Sequence, residues 1–297
     1  MAETDSPGGN RSLRRGMAVL RAFKPELLLL GNGELAERTG LARSTVSRLT
    51  RTLVEAGLLE HDGVNRAYRL APAVLSLAHA MRLSSPILTA IGPIMRARAA
   101  EWRVNIGLAA ADGDSMVYLE SFRTSHCARF RTVVSRARVP TELTSLGRAH
   151  LWALPAPERD GALAAIARRH PRDWPRLSRE IDRAFGELER TGFCAVRWQP
   201  RALAVAAPIQ TPTIPLHAVN ISIASDEPLA AGRDRLGPLL LDLKAHCLER
   251  LALRTDECST WWNSGASSRQ TPYKVFESNR PPEGESPCRL DVRSPPR

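Results

Sequence analysis

The segment from residue 33 to residue 70 constrains the fold more than any other part of the chain. It begins with a short helix that Asn32 can cap and that ends at Gly40, a residue suited to the left-handed conformation that terminates helices. A turn of about three to four residues follows, and such a turn sets two helices at a steep angle. The sequence therefore predicts a helix-turn-helix whose second helix begins at Arg43.

The second helix of this motif combines an apolar stripe with a short polar face. The apolar positions recur at spacings of three and four residues, as on the buried side of a helix, and they are Val46, Leu49, Leu53 and Val54. Arginine can bond guanine edges, and serine or threonine can bond bases or phosphates, so the polar face suits a helix that reads DNA. The predicted DNA-contacting residues on it are Arg43, Ser44, Thr45, Ser47, Arg48 and Arg51.

A predicted hairpin after Gly57 completes a winged helix-turn-helix over residues 11–71. Strand-forming residues at 58–60 and 67–70 flank a turn that contains Gly63, and Arg66 and Arg69 are available to the DNA backbone. A basic amphipathic helix can also be merely solvated. The turn glycine, the hydroxyl-rich helix start and the hairpin occur together, however. Between residues 11 and 70, eleven Lys or Arg residues also oppose six acidic ones, so we expect binding to double-stranded DNA.

The rest of the chain is predicted to contain a linker helix at 72–84 and a second domain at 85–254. The linker helix is so apolar that we expect it to pack on the same helix of a second subunit, presenting two winged motifs to two half-sites. Helices and strands then alternate, with a hairpin around Asp112-Gly113, a strand at 128–134 and a closing helix at 229–253. This pattern predicts an α+β fold with a mainly antiparallel sheet of about six strands.

Composition agrees with a DNA-binding protein of about two domains. The 297 residues are 43% hydrophobic and carry a net charge of +11, which favours a polyanionic partner. No apolar run reaches the roughly 18 to 20 residues of a membrane helix, and the first ten residues lack a signal-peptide core, so we expect a cytoplasmic protein. Five widely spaced cysteines without a Cys-x-x-Cys pair predict reduced thiols and neither a metal site nor a cofactor. The polar segments 1–10 and 255–297 are predicted to be disordered.

Several segments resemble the IclR-type family of bacterial transcriptional regulators. The likeness to that family's N-terminal domain lies in RSLRRGMAVLRAF, LAERTGLARSTVSRLTRTLVEAGLLE and YRLAPAVLSLA. Further along, TELTSLGRAHLWAL and GFCAVRWQPRALAVAAPI resemble its Gly-Lys/Arg-Ala helix and its Ala-Ala-Pro-Ile strand region. The resemblance spans residues 11–254. It implies a winged helix, a linker helix and a C-terminal GAF-like domain that binds a small-molecule effector, assembled as a homodimer or homotetramer on DNA to repress or activate transcription.

The same resemblance implies an effector pocket formed by Ser145, Leu146, Gly147, Cys194, Arg197, Trp198, Asn220 and Ser222. Cys194 can equally be a core thiol, and Asn220 and Ser222 can serve to satisfy backbone groups. The turn at 197–201 departs from the family pattern, because it is short, lacks an acid and carries Arg197 and Arg201. If these arginines face the pocket, they favour a carboxylate effector. The alternatives are that both are exposed, or that the short turn distorts the pocket.

Two other classes of function stay open at this point. An enzyme would need a thiolate beside a base, for which the candidates are His126 with Cys127 and His246 with Cys247. Adjacent residues point in different directions on both strands and helices, and HExxH, P-loop and GxGxxG motifs are absent, so we do not expect an enzyme. An architectural DNA-binding protein would keep the winged helix and use the remainder for assembly. The sequence favours a transcriptional regulator under effector control, but it identifies neither the operator, the effector nor the sign of regulation.

Overall fold

A computed structural model of the protein describes residues 9–24, 27–123 and 138–263, with side chains described as far as Leu253. These residues form nine helices and eight strands. Of the sequence predictions, the strand at 128–134, the His126–Cys127 pair and the disordered segments at 1–8 and 264–297 lie outside the described residues.

The N-terminal part consists of three helices followed by a two-stranded hairpin. These elements are α1 (Arg11–Arg21), α2 (Asn32–Thr39), α3 (Arg43–Glu55), β1 (Leu59–Asp62) and β2 (Ala67–Leu70). Their shared core contains Val19, Leu30, Leu35, Val46, Leu53 and Leu59. Leu30 also extends the hairpin, because its backbone exchanges hydrogen bonds of 3.0 and 3.1 Å with the backbone of Tyr68. The predicted winged helix-turn-helix is confirmed.

The start of α2 differs from the prediction. Gly31 caps the helix in place of Asn32, and the carboxylate of Glu34 accepts a 2.8 Å hydrogen bond from the Gly31 amide. Asn32 is instead the first helical residue, and its side-chain oxygen accepts a 3.3 Å hydrogen bond from the Thr50 hydroxyl of α3. This side chain therefore joins the two helices of the motif and does not cap either of them.

Helix α1 also differs from the sequence prediction at its start. Asn10, placed in a disordered segment by the sequence, caps the helix by accepting a 3.0 Å hydrogen bond from the Leu13 amide. Gly16 and Val19 are the buried residues of this helix, whereas Leu13 and Met17, which fall at helical spacing, are 58% and 43% exposed. An apolar periodicity alone does not distinguish a core face from a face left open in a single chain.

Two helices connect the N-terminal part to the sheet, α4 (Pro72–Ser84) and α5 (Pro86–Trp102). The predicted linker helix is α4, and none of its residues is buried. Its exposed apolar side chains include Leu75, Leu77, Met81 and Leu83. Within the described part of the chain, no single helix has the length and hydrophobicity to cross a membrane. Helices α4 and α5 together have the necessary length and hydrophobicity, but the two helices meet at an 80° bend.

The C-terminal part is built on a six-stranded sheet. Its strands are β3 (Asn105–Asp112), β4 (Ser115–Phe122), β5 (Arg138–Pro140), β6 (Cys194–Gln199), β7 (Ala202–Ile209) and β8 (His217–Ala224). They lie in the order β5-β4-β3-β8-β7-β6, and every pair is antiparallel. The remaining helices are α6 (Ser145–Ala153), α7 (Ala156–Arg169), α8 (Trp174–Thr191) and α9 (Leu229–Asn263). The predicted α+β fold with a mainly antiparallel sheet is confirmed.

Helices cover both faces of this sheet. The core on one face is formed with α5 and α9, and the core on the other face is formed with α6 and α8. Strand β6 is at one edge of the sheet and packs against α8. Helices α6, α7 and α8 followed by strands β6, β7 and β8 continue the mixture of helices and strands that the sequence predicts for this part of the chain.

The last helix is ten residues longer than the sequence predicted, because it ends at Asn263 and not at residue 253. No glycine or proline occurs between Pro238 and Gly265, so the sequence contains no helix breaker at the predicted end. The strongly polar composition after residue 254 led to a prediction of disorder, but polarity alone does not prevent a helix from continuing.

Candidate DNA-binding surface and effector region

Helix α3 presents most of its predicted DNA-contacting side chains to solvent. Val46, Thr50 and Leu53 are its buried residues, so its other faces point away from the core. The exposed residues of the predicted set are Arg43, Ser44, Ser47, Arg48 and Arg51, while Thr45 is half-buried. The apolar periodicity does not predict the burial of Thr50. Its hydroxyl shares its one proton between the Val46 carbonyl at 3.0 Å and the Asn32 side-chain oxygen at 3.3 Å.

We call the exposed polar face of α3, with Arg43, Ser44, Ser47, Arg48 and Arg51, the α3 surface. Its arginines carry charges that no acidic group in the described part of the chain neutralises. Arg43, Arg48 and Arg51 make no ion pair with described residues, and the same holds for Arg66 on the hairpin. Arg69, by contrast, lies 3.0 Å from the carboxylate of Glu60. Unpaired guanidinium groups on one exposed surface can replace the counterions of a phosphate backbone.

The tip of the β1–β2 hairpin is ordered by Asp62. Its carboxylate accepts hydrogen bonds of 3.0 Å from the amides of Val64 and Asn65. The hydrogen bonds from Asn65 lower the pKa of Asp62 below its ordinary value. Arg66 follows at a φ of 48°, in the left-handed region, and Val64 is 92% exposed. The hairpin therefore holds Val64 and Arg66 at an ordered, exposed tip.

Two ion pairs join the N-terminal part to the sheet. The guanidinium of Arg82, near the end of α4, lies 2.5 Å from the carboxylate of Glu120 and also donates to the Leu119 carbonyl, both on β4. Arg21, at the end of α1, lies 3.0 Å from the carboxylate of Asp112 at the end of β3. The β3–β4 hairpin therefore forms ion pairs with both α1 and α4.

The predicted effector residues fall into two groups. We call the first group the sheet-face cluster; it comprises Ser145, Leu146, Gly147, Cys194, Asn220 and Ser222, on α6 and on the sheet face that α6 covers. Two of its polar side chains, those of Asn220 and Cys194, bond to neighbours within the fold. The Asn220 amide donates to the Tyr118 hydroxyl at 3.2 Å, and the Cys194 thiol donates to the Ser145 carbonyl at 3.5 Å.

The sheet-face cluster is closely packed. Gly147 lies so near the backbone of Thr141 that an added Cβ would be 2.0 Å from the Thr141 oxygen. Gly107, which pairs with Asn220, makes room in the same way for the ring of Tyr118. Burial raises the pKa of both Tyr118 and Cys194 to about 12. These properties are those of a filled core whose polar groups satisfy one another.

The second group, Arg197 and Trp198, lines a cavity of about 280 Å³ between α8 and the edge strand β6. The other six predicted residues do not line it. Its charged lining consists of Arg148, Arg176, Arg183, Arg197, Glu180 and Glu187, and its apolar lining includes Leu143, Ala184, Val196 and Leu229. The charged residues of α8 were missed from the sequence. Their spacing of four, three and four residues, from 176 to 187, is the signal that places them on one helix face.

Both acids in this cavity have partners. The carboxylate of Glu180 lies 2.7 Å from Arg148 and 2.8 Å from Arg176. Burial opposes ionisation of Glu180, but the hydrogen bonds from the two arginines outweigh it and lower its pKa. The carboxylate of Glu187 accepts a 3.1 Å hydrogen bond from the Ala195 amide at the sheet edge.

The two arginines of the short turn do not converge on the cavity. Arg197 donates through its two terminal nitrogens to the carbonyls of Ser225 and Glu227. Arg201 forms a 3.2 Å ion pair with Asp226 and is about half exposed. Both side chains therefore hold the segment that follows β8, and the geometry does not bring them together as a pair for a carboxylate.

The described thiols show no arrangement for nucleophilic catalysis. Burial raises the pKa of Cys247 to about 12, whereas the neighbouring His246 is only half-buried and contacts the Asp242 carbonyl at 2.9 Å. The two side chains lie on different sides of α9, as expected for adjacent helical residues. Among the described residues, no group of three or more His, Cys, Asp or Glu side chains is placed to hold a metal ion.

The winged helix, its unpaired basic surface and the α+β part that follows define a DNA-binding transcriptional regulator. The family model of the IclR helix-turn-helix domain matches residues 12–63. The chain is 30% identical over 201 residues to the HTH-type transcriptional regulator Rv1719 of Mycobacterium tuberculosis, covering 64% of this chain and 76% of that protein. It is 31% identical over 183 residues to TsaQ1/TsaQ2 of Comamonas testosteroni, covering 61% of this chain and 66% of that regulator.

Solved structures agree with this assignment. An IclR family transcriptional regulator from Brucella abortus is 32% identical with a TM-score of 0.77, over 84% of this chain and 95% of that one. The chain belongs to the IclR family of transcriptional regulators. An IclR homologue from Microbacterium hydrocarbonoxydans, solved with 4-hydroxybenzoate, shares the fold at 20% identity with a TM-score of 0.62, over 82% of this chain and 99% of that one.

Proposed function

We propose that this protein binds a specific operator and that a small-molecule effector controls its affinity for that operator. The observation that carries the first half is the set of exposed, unpaired arginines on α3. In this proposal Arg43, Ser44, Thr45, Ser47 and Arg48 contact base edges or adjacent phosphates, while Arg51 on α3 and Arg66 on the hairpin contact phosphate. Residues 11–71 act as the DNA-binding domain.

The proposed assembly is a homodimer or a homotetramer. Helix α4, the proposed linker at 72–84, leaves Leu75, Leu77, Met81 and Leu83 between 47% and 69% exposed in a single chain. A helix with that many exposed apolar side chains is stabilised by a partner surface, and a second copy supplies one with two-fold symmetry. Two copies would then present two α3 helices to two half-sites of an operator. The proposed place of action is the cytoplasm.

Effector control is proposed for residues 85–254. It is supported by the cavity beside α8 and by the 4-hydroxybenzoate bound to the IclR homologue of the same fold. The candidate contacts are Arg197 and Trp198, which line this cavity, and the sheet-face cluster is the alternative site. By linkage, an effector that changes operator affinity must have its own affinity changed equally by the operator.

The test is binding of the purified protein to the DNA upstream of its own gene and to random duplex DNA, over a salt series. The series is repeated with a panel of small carboxylic acids at matched ionic strength. We expect tight, sequence-selective binding that at least one acid changes. Weak, unselective and steeply salt-dependent binding would contradict the proposal. Selective binding that no small molecule changes would instead support an architectural protein without an effector.

A further inference from the structure

We propose that the cavity between α8 and β6 is the binding site for the carboxylate of a small acid with an apolar body, and that Arg183 is the residue that pairs with this carboxylate. The geometry of the cavity supports the binding site itself. The further claim that the bound acid is the effector rests on the function proposed above.

The charges that line the cavity do not balance. Four arginines and two glutamates line it, so the lining carries two positive charges in excess. Arg148 and Arg176 are both engaged with Glu180, at 2.7 and 2.8 Å. The terminal nitrogens of Arg197 are engaged with backbone carbonyls. An incoming anion therefore enters a positive field, and its binding does not require an existing ion pair to break.

Arg183 is the arginine of this lining whose donors are available. It is exposed on α8 and has no hydrogen bond or ion pair with residues in the described part of the chain. A guanidinium offers two parallel N–H groups that match the two oxygens of a carboxylate, which gives a stronger bond than a neutral hydrogen bond. The two acids of the lining already have partners, because Glu180 is paired with Arg148 and Arg176, and Glu187 accepts from the Ala195 amide.

The remaining lining determines the kind of acid that fits. Trp198 is half-buried in the wall, and Leu143, Ala184 and Leu229 add apolar surface. An indole ring favours an offset or edge-on contact with another ring. The volume of about 280 Å³ is just below the usual range for small-molecule sites, about 300 to 1,000 Å³, so the ligand has to be small. A one-ring aromatic acid combines these properties.

The sheet-face cluster does not provide a competing site for the carboxylate. The Asn220 amide is bonded to Tyr118 and the Cys194 thiol to Ser145, so a ligand would have to break these contacts. The glycines at 107 and 147 are already approached by neighbouring atoms more closely than a methyl group would allow. The sheet-face cluster is already filled, whereas the cavity beside α8 is open and positively charged. Both observations assign the carboxylate to the cavity.

The test is calorimetric titration of the full chain with sodium benzoate, with benzamide as the uncharged analogue of the same shape. We expect Arg183→Gln to weaken benzoate binding at least tenfold and to leave benzamide binding unchanged. Arg179→Gln is the matched control, because Arg179 is an exposed arginine of the same helix outside the cavity lining, and it should bind benzoate like the wild type. Unchanged melting temperatures would show that both variants are folded.

Equal benzoate affinity in the wild type and in Arg183→Gln would overturn the site, as would the absence of benzoate binding to the wild type. A loss of benzoate binding in Asn220→Ala but not in Arg183→Gln would move the ligand to the sheet-face cluster. The two proposals are separated by repeating operator binding with benzoate. Benzoate binding that depends on Arg183 but leaves operator affinity unchanged supports the site and contradicts effector control by this ligand. An acid that changes operator affinity equally in both proteins supports effector control and overturns the site.

Discussion

The α3 surface and the sheet-face cluster were both predicted to bind a ligand, yet the structure places their side chains in opposite states. The polar side chains of α3 are mostly exposed, and its arginines form no ion pair with any residue that the structure describes. Most of those of the sheet-face cluster are buried, and Asn220 and Cys194 are bonded to Tyr118 and Ser145. A surface of the first kind can receive a polyanion without rearrangement. A cluster of the second kind stabilises the fold, and a ligand there would have to displace existing contacts.

The largest effect on stability is expected from filling the space beside Gly147. In Gly147→Ala the added methyl group would lie 2.0 Å from the backbone oxygen of Thr141, so helix α6 has to move. We expect the free energy of unfolding to fall by about 3 kcal/mol, measured by denaturant titration. Gly186→Ala is the control, because nothing lies within 4 Å of its added methyl group on α8, and it should be neutral or stabilising by about 0.5 to 1 kcal/mol. A stable Gly147→Ala protein would show that this region is open.

The buried pair of Asn220 and Tyr118 should give the next largest effect. Asn220→Ala leaves the Tyr118 hydroxyl, which is buried, without its 3.2 Å partner. We expect the protein to lose about 1 to 3 kcal/mol of stability in thermal or denaturant unfolding. The double variant Asn220→Ala with Tyr118→Phe should recover part of the loss, because both polar groups are then removed. If the double variant were no more stable than Asn220→Ala alone, the pair would not be the cause.

This contrast also explains which features the sequence could predict. The α3 surface was predictable because apolar residues at helical spacing define the buried face, and the faces left over carry the arginines. Alternation and turn residues predict the strands of the six-stranded sheet except β5. That strand has only three residues and is too short to show alternation. The extra helical turns of α9 do not follow from the sequence, because its polar composition there is equally typical of a disordered segment.

The cavity could not be predicted in the same way. Its walls come from α8, β6 and the segment before α6, so its shape depends on how distant segments pack. The contacts of Arg197 and Arg201 could not be predicted from the sequence either. The sequence places two arginines in a short turn, but only the structure shows that they bind the segment at 225–227. Arg183 is an ordinary solvent-facing arginine by sequence. It differs from the other three arginines of the cavity lining in having no partner among the described residues.

A smaller effect is expected at the contact between the two regions. Arg82→Ala removes the 2.5 Å ion pair with Glu120, whose side chains are 28% and 17% exposed. We expect a loss of about 1 kcal/mol or less in stability and faster hydrogen exchange in the last turn of α4. Arg98→Ala, which removes a pair with the more exposed Glu101, is the control and should leave exchange in α4 unchanged. Unchanged exchange in Arg82→Ala would show that this ion pair does not hold the linker helix.

The smallest expected effect is on thiol chemistry. Burial raises the pKa of Cys194 and Cys247 to about 12, so both stay protonated between pH 7 and about pH 9 in the folded protein. We expect neither residue to be alkylated by iodoacetamide over that range, and both to react after denaturation, as read by peptide mass spectrometry. Because the ordinary thiol pKa is lower, ionisation of the unfolded chain reduces stability as the pH rises above about 9. Labelling of Cys194 in the folded state would contradict its place in a closed cluster.

The most direct test of the account is the affinity of Arg48→Ala for the operator and for random duplex DNA, with Arg179→Ala on α8 as the control. We predict that Arg48→Ala weakens operator binding by about 1 to 3 kcal/mol while changing binding to random DNA much less, and that Arg179→Ala changes neither. An equal loss on both DNAs would assign Arg48 to phosphate and not to a base. Unchanged affinity for both DNAs would contradict the claim that the α3 surface reads the operator.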